Sequence, residues 1–249
     1  PSPPIAYYPL GTSAWNGEYL AENNAIGDYV FDFIPNDYID LPSNSTTEPT
    51  TAFSLSLWAK WDVLSGVQGL ISNGQNRGYM IWSSGTTLQF YIYRASTGSW
   101  ASATSSVTLT IDTWFNIVAT WDGSDVINVY VNGNPTGTQT GVTTPLYSNN
   151  PVIGQYAGNY FNGKLSNVQI FNTELSSTDV ETLYNYGSPI RTLANIPQSS
   201  NLKAWYKLDA SEVYNTTTEW SIDNNQNPSA YASSLDFDSA SSDYIDCGT

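Results

Sequence analysis

The sequence predicts an all-β fold, an antiparallel sandwich with one short helix near the end of its main domain. Three observations carry that expectation. Many short segments alternate apolar and polar residues with period two. Glycines and Asn-Gly or Asp-Gly pairs separate those segments, and such pairs tolerate the positive φ of tight turns. One stretch alone carries apolar residues at helical spacing.

Phe53, Leu55, Leu57, Ala59 and Trp61 alternate with Ser54, Ser56, Trp58 and Lys60, which predicts a strand with one face inward. Gly69–Ser72 and Tyr79–Trp82 flank a polar turn at 73–78. Leu88–Tyr93 is a further strand, bounded by Gly85 and Gly98. Val107–Leu109 leads to Trp114–Trp121, and Asp122-Gly123 turns the chain into Val126–Val131, which stops at Asn132-Gly133. Val152–Gly154 and Gly163–Phe171 complete the set, with Gly163 marking close packing or a bulge. Trp58, Trp114 and Trp121 are expected to fill or rim the core. The helix begins at Ser176 or Ser177 with Asp179 in its first turn; Val180, Leu183 and Tyr184 share a face, and Gly187 stops it. Many short strands with turns between them indicate an antiparallel sandwich.

The opening of the chain returns near its end. Asp37-Tyr38-Ile39-Asp40 recurs as Asp243-Tyr244-Ile245-Asp246, and Phe31-Asp32-Phe33 as Leu235-Asp236-Phe237. Tyr7-Tyr8-Pro9-Leu10 matches Trp205-Tyr206-Lys207-Leu208, and Asn23-Asn24 matches Asn224-Asn225. The spacing is that of a whole domain, not of a solenoid unit. The organisation expected is one domain over 1–191, a linker over 192–200 containing Pro197, and the first part of a second copy over 201–249. Part of a β-domain cannot close its own core, so either the chain continues beyond Thr249 or 198–249 pairs with a neighbouring subunit by β-augmentation.

Composition narrows the function. Seven Lys and Arg against 22 Asp and Glu give a formal charge of −15, and the basic residues are scattered. Nucleic acid and anionic membranes need clustered cations, so neither is an expected partner. No apolar run is long enough for membrane insertion. The chain has no His and one cysteine, Cys247. That excludes His-dependent nucleophilic catalysis, His-based zinc sites and an intramolecular disulfide. The opening Pro1-Ser2-Pro3-Pro4 reads as a linker or processed end, with no signal peptide. Two sequons, at Asn44 and Asn215, matter only in a glycosylating host.

The aromatic content, 14%, exceeds the charged content, 12%, and suits surfaces that touch sugars. Sugar binding needs a ring for the apolar face of a pyranose beside amides and hydroxyls for its OH groups. The candidates are Tyr79, Trp82, Tyr91, Tyr93 and Trp100 on the middle strands, and Tyr156, Asn159 and Tyr160 on a Gly-rich loop. Tyr91 and Tyr93 fall on one face of their strand; that pair is either a binding surface or a solvent-side ladder. The metal candidates are Asp28, Asp32, Asp37 and Asp40 in acidic loops, and Ca²⁺ is the one cofactor they suit, since it takes six to eight oxygens.

Three blocks in order resemble the laminin G-like, concanavalin A-like jelly-roll family. They are Phe53–Lys60; Trp114–Gly123 with Val129–Gly133; and Ile153–Gly154, Phe161–Asn172 and Leu175–Tyr184. The resemblance spans about residues 5–187 and implies a jelly-roll sandwich. It also implies a structural calcium near the junction of first and last strands, although many members carry Asp where this chain has Asn167. Hydrolases of this fold align two Glu and an Asp on one strand, and no strand here does so; Glu18, Glu22, Glu48, Glu174 and Glu181 fall in loops or the helix, and Asp179-Val180-Glu181 lies in the helix. The expectation is a non-catalytic module, on a virion or cell surface, that recognises glycan or cell-surface polysaccharide. The alternative is an assembly module with no ligand of its own.

Overall fold

The computed structural model describes residues 20–23, 28–73, 77–147, 151–190 and 192–208, with backbone only at 20–23 and 28–29. The recurring motifs at 224–246, Tyr7–Leu10, Cys247 and Asn215 lie outside the described residues, as do the side chains of Glu18, Glu22 and Asp28.

Two sheets face each other. The first is ordered β1 (Leu20–Asn23), β2 (Asp28–Phe33), β15 (Gly163–Phe171), β4 (Phe53–Trp61), β9 (Trp114–Trp121), β10 (Ile127–Val131), β11 (Asn134–Gln139). The second runs β3 (Ile39–Asp40), β12 (Pro151–Ile153), β5 (Val67–Asn73), β6 (Tyr79–Ser84), β7 (Thr87–Arg94), β8 (Ser99–Thr108). A small hairpin, β13 (Gln155–Tyr156) and β14 (Asn159–Tyr160), stands apart. Strand pairing throughout these sheets is antiparallel.

The core lies between the sheets. Phe53, Leu55, Leu57, Ala59 and Trp61 of β4 meet Tyr79 and Ile81 of β6 and Leu88, Phe90 and Ile92 of β7. Phe53 sits at 5.4 Å from Tyr79 and 5.8 Å from Trp121, ring centre to ring centre. Trp61 donates its indole N–H across the sandwich to Ser83 Oγ at 3.0 Å, so its buried polar atom is satisfied. At Gly163, φ is 146° and a Cβ would collide with the Lys60 carbonyl, so glycine alone allows the start of β15 to lie against the end of β4.

β4 differs from the one-sided strand its alternation suggests: Ser54, Ser56 and Trp58 are buried as well. Their face is roofed by α1 (Ser177–Tyr184) and the chain after it, which form a second apolar cluster with Val118, Tyr130, Phe171, Leu175, Val180, Leu183, Ile190, Ile196 and Trp205. Trp58 stacks on Tyr184 of this roof, at 6.1 Å and 19°, rather than filling the space between the sheets. The helix starts at Ser176, whose hydroxyl accepts from the Asp179 N–H while the Asp179 carboxylate accepts from the Ser176 N–H. Asn185, at φ 44°, closes it before Gly187.

The segment Leu202–Leu208 packs on this same domain. β16 (Leu202–Tyr206) pairs with β15, Trp205 opposite Gln169 and Tyr206 opposite Val168. Tyr206 and Leu208 enter the main core and Trp205 the second cluster. Asn167, at φ 50°, joins the two strands: its N–H donates to Lys207 O at 2.8 Å, and its Oδ1 accepts the Trp205 indole N–H at 2.9 Å.

The β9–β10 turn carries a pH-dependent element. Asp122 Oδ1 accepts from the N–H groups of Ser124, Asp125 and Val126 at 2.8, 2.8 and 3.0 Å. Slight burial opposes ionisation, but these bonds and the Ser124 hydroxyl outweigh it and hold Asp122 down at about 2, against an ordinary 3.8. A depressed carboxylate contributes stability that is complete above the unfolded-state value and is lost as pH falls through the folded one. Asp122→Asn removes the charge, so its stability deficit relative to the parent chain shrinks as pH drops from about 4 to about 2. Urea unfolding across that range measures this; a deficit independent of pH contradicts it.

Candidate functional site

The outer face of the second sheet gathers aromatic side chains. In β7, Leu88, Phe90 and Ile92 are fully buried inward, which turns Gln89, Tyr91 and Tyr93 outward. The pairing with β8 sets Tyr93 opposite Trp100, Tyr91 opposite Ser102 and Gln89 opposite Thr104. The pairing with β6 sets Trp82 opposite Gln89 and Met80 opposite Tyr91. Trp82, Tyr91, Tyr93 and Trp100 are all partly exposed.

A fifth ring arrives from the β13–β14 hairpin. Gly69 makes this possible: a Cβ there would run into the backbone of Gln155 and Tyr156. Ser72 Oγ donates to Gln155 O at 2.9 Å, and Asn159 Nδ2 donates to Tyr156 O at 3.0 Å across the hairpin turn. Tyr156 then meets Trp82 at 5.5 Å and Trp100 at 6.5 Å. Burial, and then the nearby Tyr91, push its phenol above the usual range. Gly69→Ala is therefore expected to lift the hairpin off the sheet and withdraw Tyr156 from Trp82 and Trp100. Tryptophan fluorescence of the variant checks this; a spectrum unchanged from the parent chain contradicts it.

Polar groups thread between the rings. Trp82 Nε1 donates to Gln89 Oε1 at 3.2 Å, and Gln89 Nε2 donates to Thr104 Oγ1 at 3.1 Å. Tyr93 OH donates to Gly98 O at 2.8 Å. At the far end Arg94 is held by Ser99 Oγ at 2.8 Å, Gly141 O at 3.1 Å and Trp100 O at 3.3 Å.

The sequence candidates divide as follows. Trp82, Tyr91, Tyr93, Trp100 and Tyr156 come together. Tyr79 does not: it lies three residues from Trp82 on one strand, so it faces inward, is fully buried and packs on Phe53. Asn159 supports Tyr156, and Tyr160 packs on Tyr38 at 6.2 Å. Sequence reasoning missed Gln89, Thr104 and Met80; the parity of Gln89 with Tyr91 was the available signal for the first.

Three of the candidate aspartates, Asp32, Asp37 and Asp40, have described side chains and hold different partners. Asp32 pairs with Lys164 at 3.0 Å, and Lys164 also holds Asp62 at 2.8 Å. Asp37 Oδ2 accepts from Ile34 N at 3.2 Å, closing a turn, and Asp40 pairs with Val152 in the sheet. Among the described residues no three His, Cys, Asp or Glu stand together as a metal site. The described candidate glutamates, Glu48, Glu174 and Glu181, lie in different parts of the chain. Glu48 accepts from Asn73 Nδ2 at 3.5 Å, and Glu181 belongs to α1. Glu174 sits near Asp122, and its carboxyl is raised by burial first and by that aspartate second. This pair lies in the loops that follow β9 and β15, and Asp122 is committed to its own turn.

A family model described as the concanavalin A-like lectin/glucanases superfamily, of laminin G type, matches residues 35–181. The chain belongs to this superfamily. No curated protein matches it. Among solved structures, the CBM40 domain of the Ruminococcus gnavus IT-sialidase, bound to α2,3-sialyllactose, is 12% identical with a TM-score of 0.52, covering 61% of this chain and 96% of that one. The binding domain of botulinum neurotoxin DC is 20% identical with a TM-score of 0.48, covering 60% of this chain and 39% of that one. The serotype C1 binding domain is 19% identical with a TM-score of 0.45, covering 57% and 38%. The chain thus spans about two fifths of the neurotoxin binding domains it matches. At 12% identity the likeness to the CBM40 domain is one of fold alone.

Proposed function

We propose that this concanavalin A-like chain is a non-catalytic recognition module that binds glycan on the outer face of its second sheet. The observation that carries the reading is the contiguous group of five half-exposed rings, interleaved with Gln89, Ser102 and Thr104. Rings stack on the apolar faces of pyranoses, and amide and hydroxyl groups between them take the sugar OH groups. Superfamily membership supports the reading, and so does a solved structure of the same fold holding sialyllactose. The acidic charge suits exposure on an extracellular, virion or cell surface, and the terminal sequence repeat suits a longer tandem protein in which residues 209–249 open the next domain.

A broad glycan array, probed with calcium and then with chelator, tests the proposal. Saturable binding to a defined glycan set is the expected result, and its survival in chelator is expected because the aromatic face carries no carboxylate among its named groups. No binding in either condition overturns the reading in favour of assembly. On the assembly reading, the segment left to engage a neighbour is 209–249, since Leu202–Tyr206 already pairs with β15. Sedimentation of the chain with and without 209–249 separates the two.

A further inference from the structure

We propose that four of the five rings form a cage for a trimethylammonium group. Trp82, Tyr91, Trp100 and Tyr156 make a closed circuit: Trp82 to Tyr91 is 5.2 Å, Tyr91 to Trp100 is 6.1 Å, Trp100 to Tyr156 is 6.5 Å, and Tyr156 to Trp82 is 5.5 Å. Neighbouring planes stand at 81°, 85°, 88° and 87°, as adjacent walls of a square box do. The centre of such a square lies about 4 Å from each ring centre, inside the ~6 Å reach of a cation–π contact. The cage requires the four ring faces to turn inward; a ring face is the negative part of its quadrupole, so such a box favours a cation, and methyl groups on that cation add apolar contact.

The surroundings agree. Met80, opposite Tyr91 in the sheet, is 2% exposed and uncharged. The described cation–π pairs lie elsewhere, Lys60 over Trp114 and Lys207 over Trp205, and Arg94 is held by backbone and serine oxygens. A formal charge of −15 raises the local concentration of small cations. Tyr93 touches Trp100 at 5.2 Å but stands outside the circuit, which provides an internal control.

The inference goes beyond the glycan reading and fails separately from it. Titration with tetramethylammonium chloride and with choline at constant ionic strength, followed by tryptophan fluorescence, is the test; 3,3-dimethylbutanol serves as the neutral isostere. Both cations are expected to saturate, and the isostere to bind at least tenfold more weakly. Tyr156→Ala is expected to lose at least tenfold, while Tyr156→Phe, which keeps the ring, and Tyr93→Ala are expected to stay within about twofold. Equal binding of the isostere, an absence of saturation, or Tyr156→Ala matching the parent chain each overturns the cage, whatever the glycan array gives. Phosphatidylcholine vesicles run beside soluble choline distinguish a lipid headgroup from a soluble source of the same group.

Discussion

Replacing Trp82 or Trp100 with alanine is expected to reduce glycan affinity at least tenfold while the domain stays folded. Both rings lie on the outer face and are partly exposed, so neither fills the core between the sheets. Covering the apolar face of a pyranose with an indole ring gains about 25 cal/mol for each Å² taken from water, and tenfold in affinity corresponds to about 1.4 kcal/mol. Trp82 also orients Gln89, so its loss frees an amide that otherwise faces the ligand in one geometry. Structural cost is expected to be small, an unfolding midpoint lowered by a few degrees. Calorimetric titration beside thermal unfolding separates the two effects. Full affinity in both variants would remove the aromatic face from the account.

The largest stability effect is expected at Trp205. Its side chain is 7% exposed, packs in the second cluster and donates to Asn167 Oδ1 at 2.9 Å. Trp205→Ala removes the ring from a packed site and leaves a buried amide oxygen without its donor, costs that together amount to about 3–5 kcal/mol. Trp205→Phe keeps part of the packing and loses the hydrogen bond, so its deficit is expected to be smaller. Urea unfolding of the domain measures both. A deficit below about 1 kcal/mol for the alanine variant would mean that Leu202–Leu208 does not belong to this domain in solution.

The inward faces of β4 and β7 were legible because Phe53, Leu55, Leu57, Ala59 and Trp61, and Leu88, Phe90 and Ile92, recur with period two. The helix was legible from Ser176, Asp179, Val180 and Leu183 in their capping and packing positions. What alternation does not carry is what covers the outer faces. Ser54, Ser56 and Trp58 look solvent-facing in sequence, and only the return of the chain over β4 through α1 buries them. Tyr79 and Trp82 looked like partners because both are aromatic on one strand, yet their odd spacing sends them to opposite sides. Gln89 and Thr104 became site residues only once the β7–β8 register set them side by side, which is a long-range fact. The place of Leu202–Leu208 beside β15 was equally long-range: its likeness to Tyr7–Leu10 indicated a strand but not which sheet would take it.

On the proposed reading, ligand sits on the outer face of the second sheet. The most direct measurement is the movement of indole N–H resonances when a glycan identified on the array is added to the ¹⁵N-labelled chain. Trp82 and Trp100 are expected to shift, while Trp61 and Trp121, fully buried between the sheets, hold their positions. Shifts confined to other tryptophans, with Trp82 and Trp100 unmoved at saturation, would contradict the account.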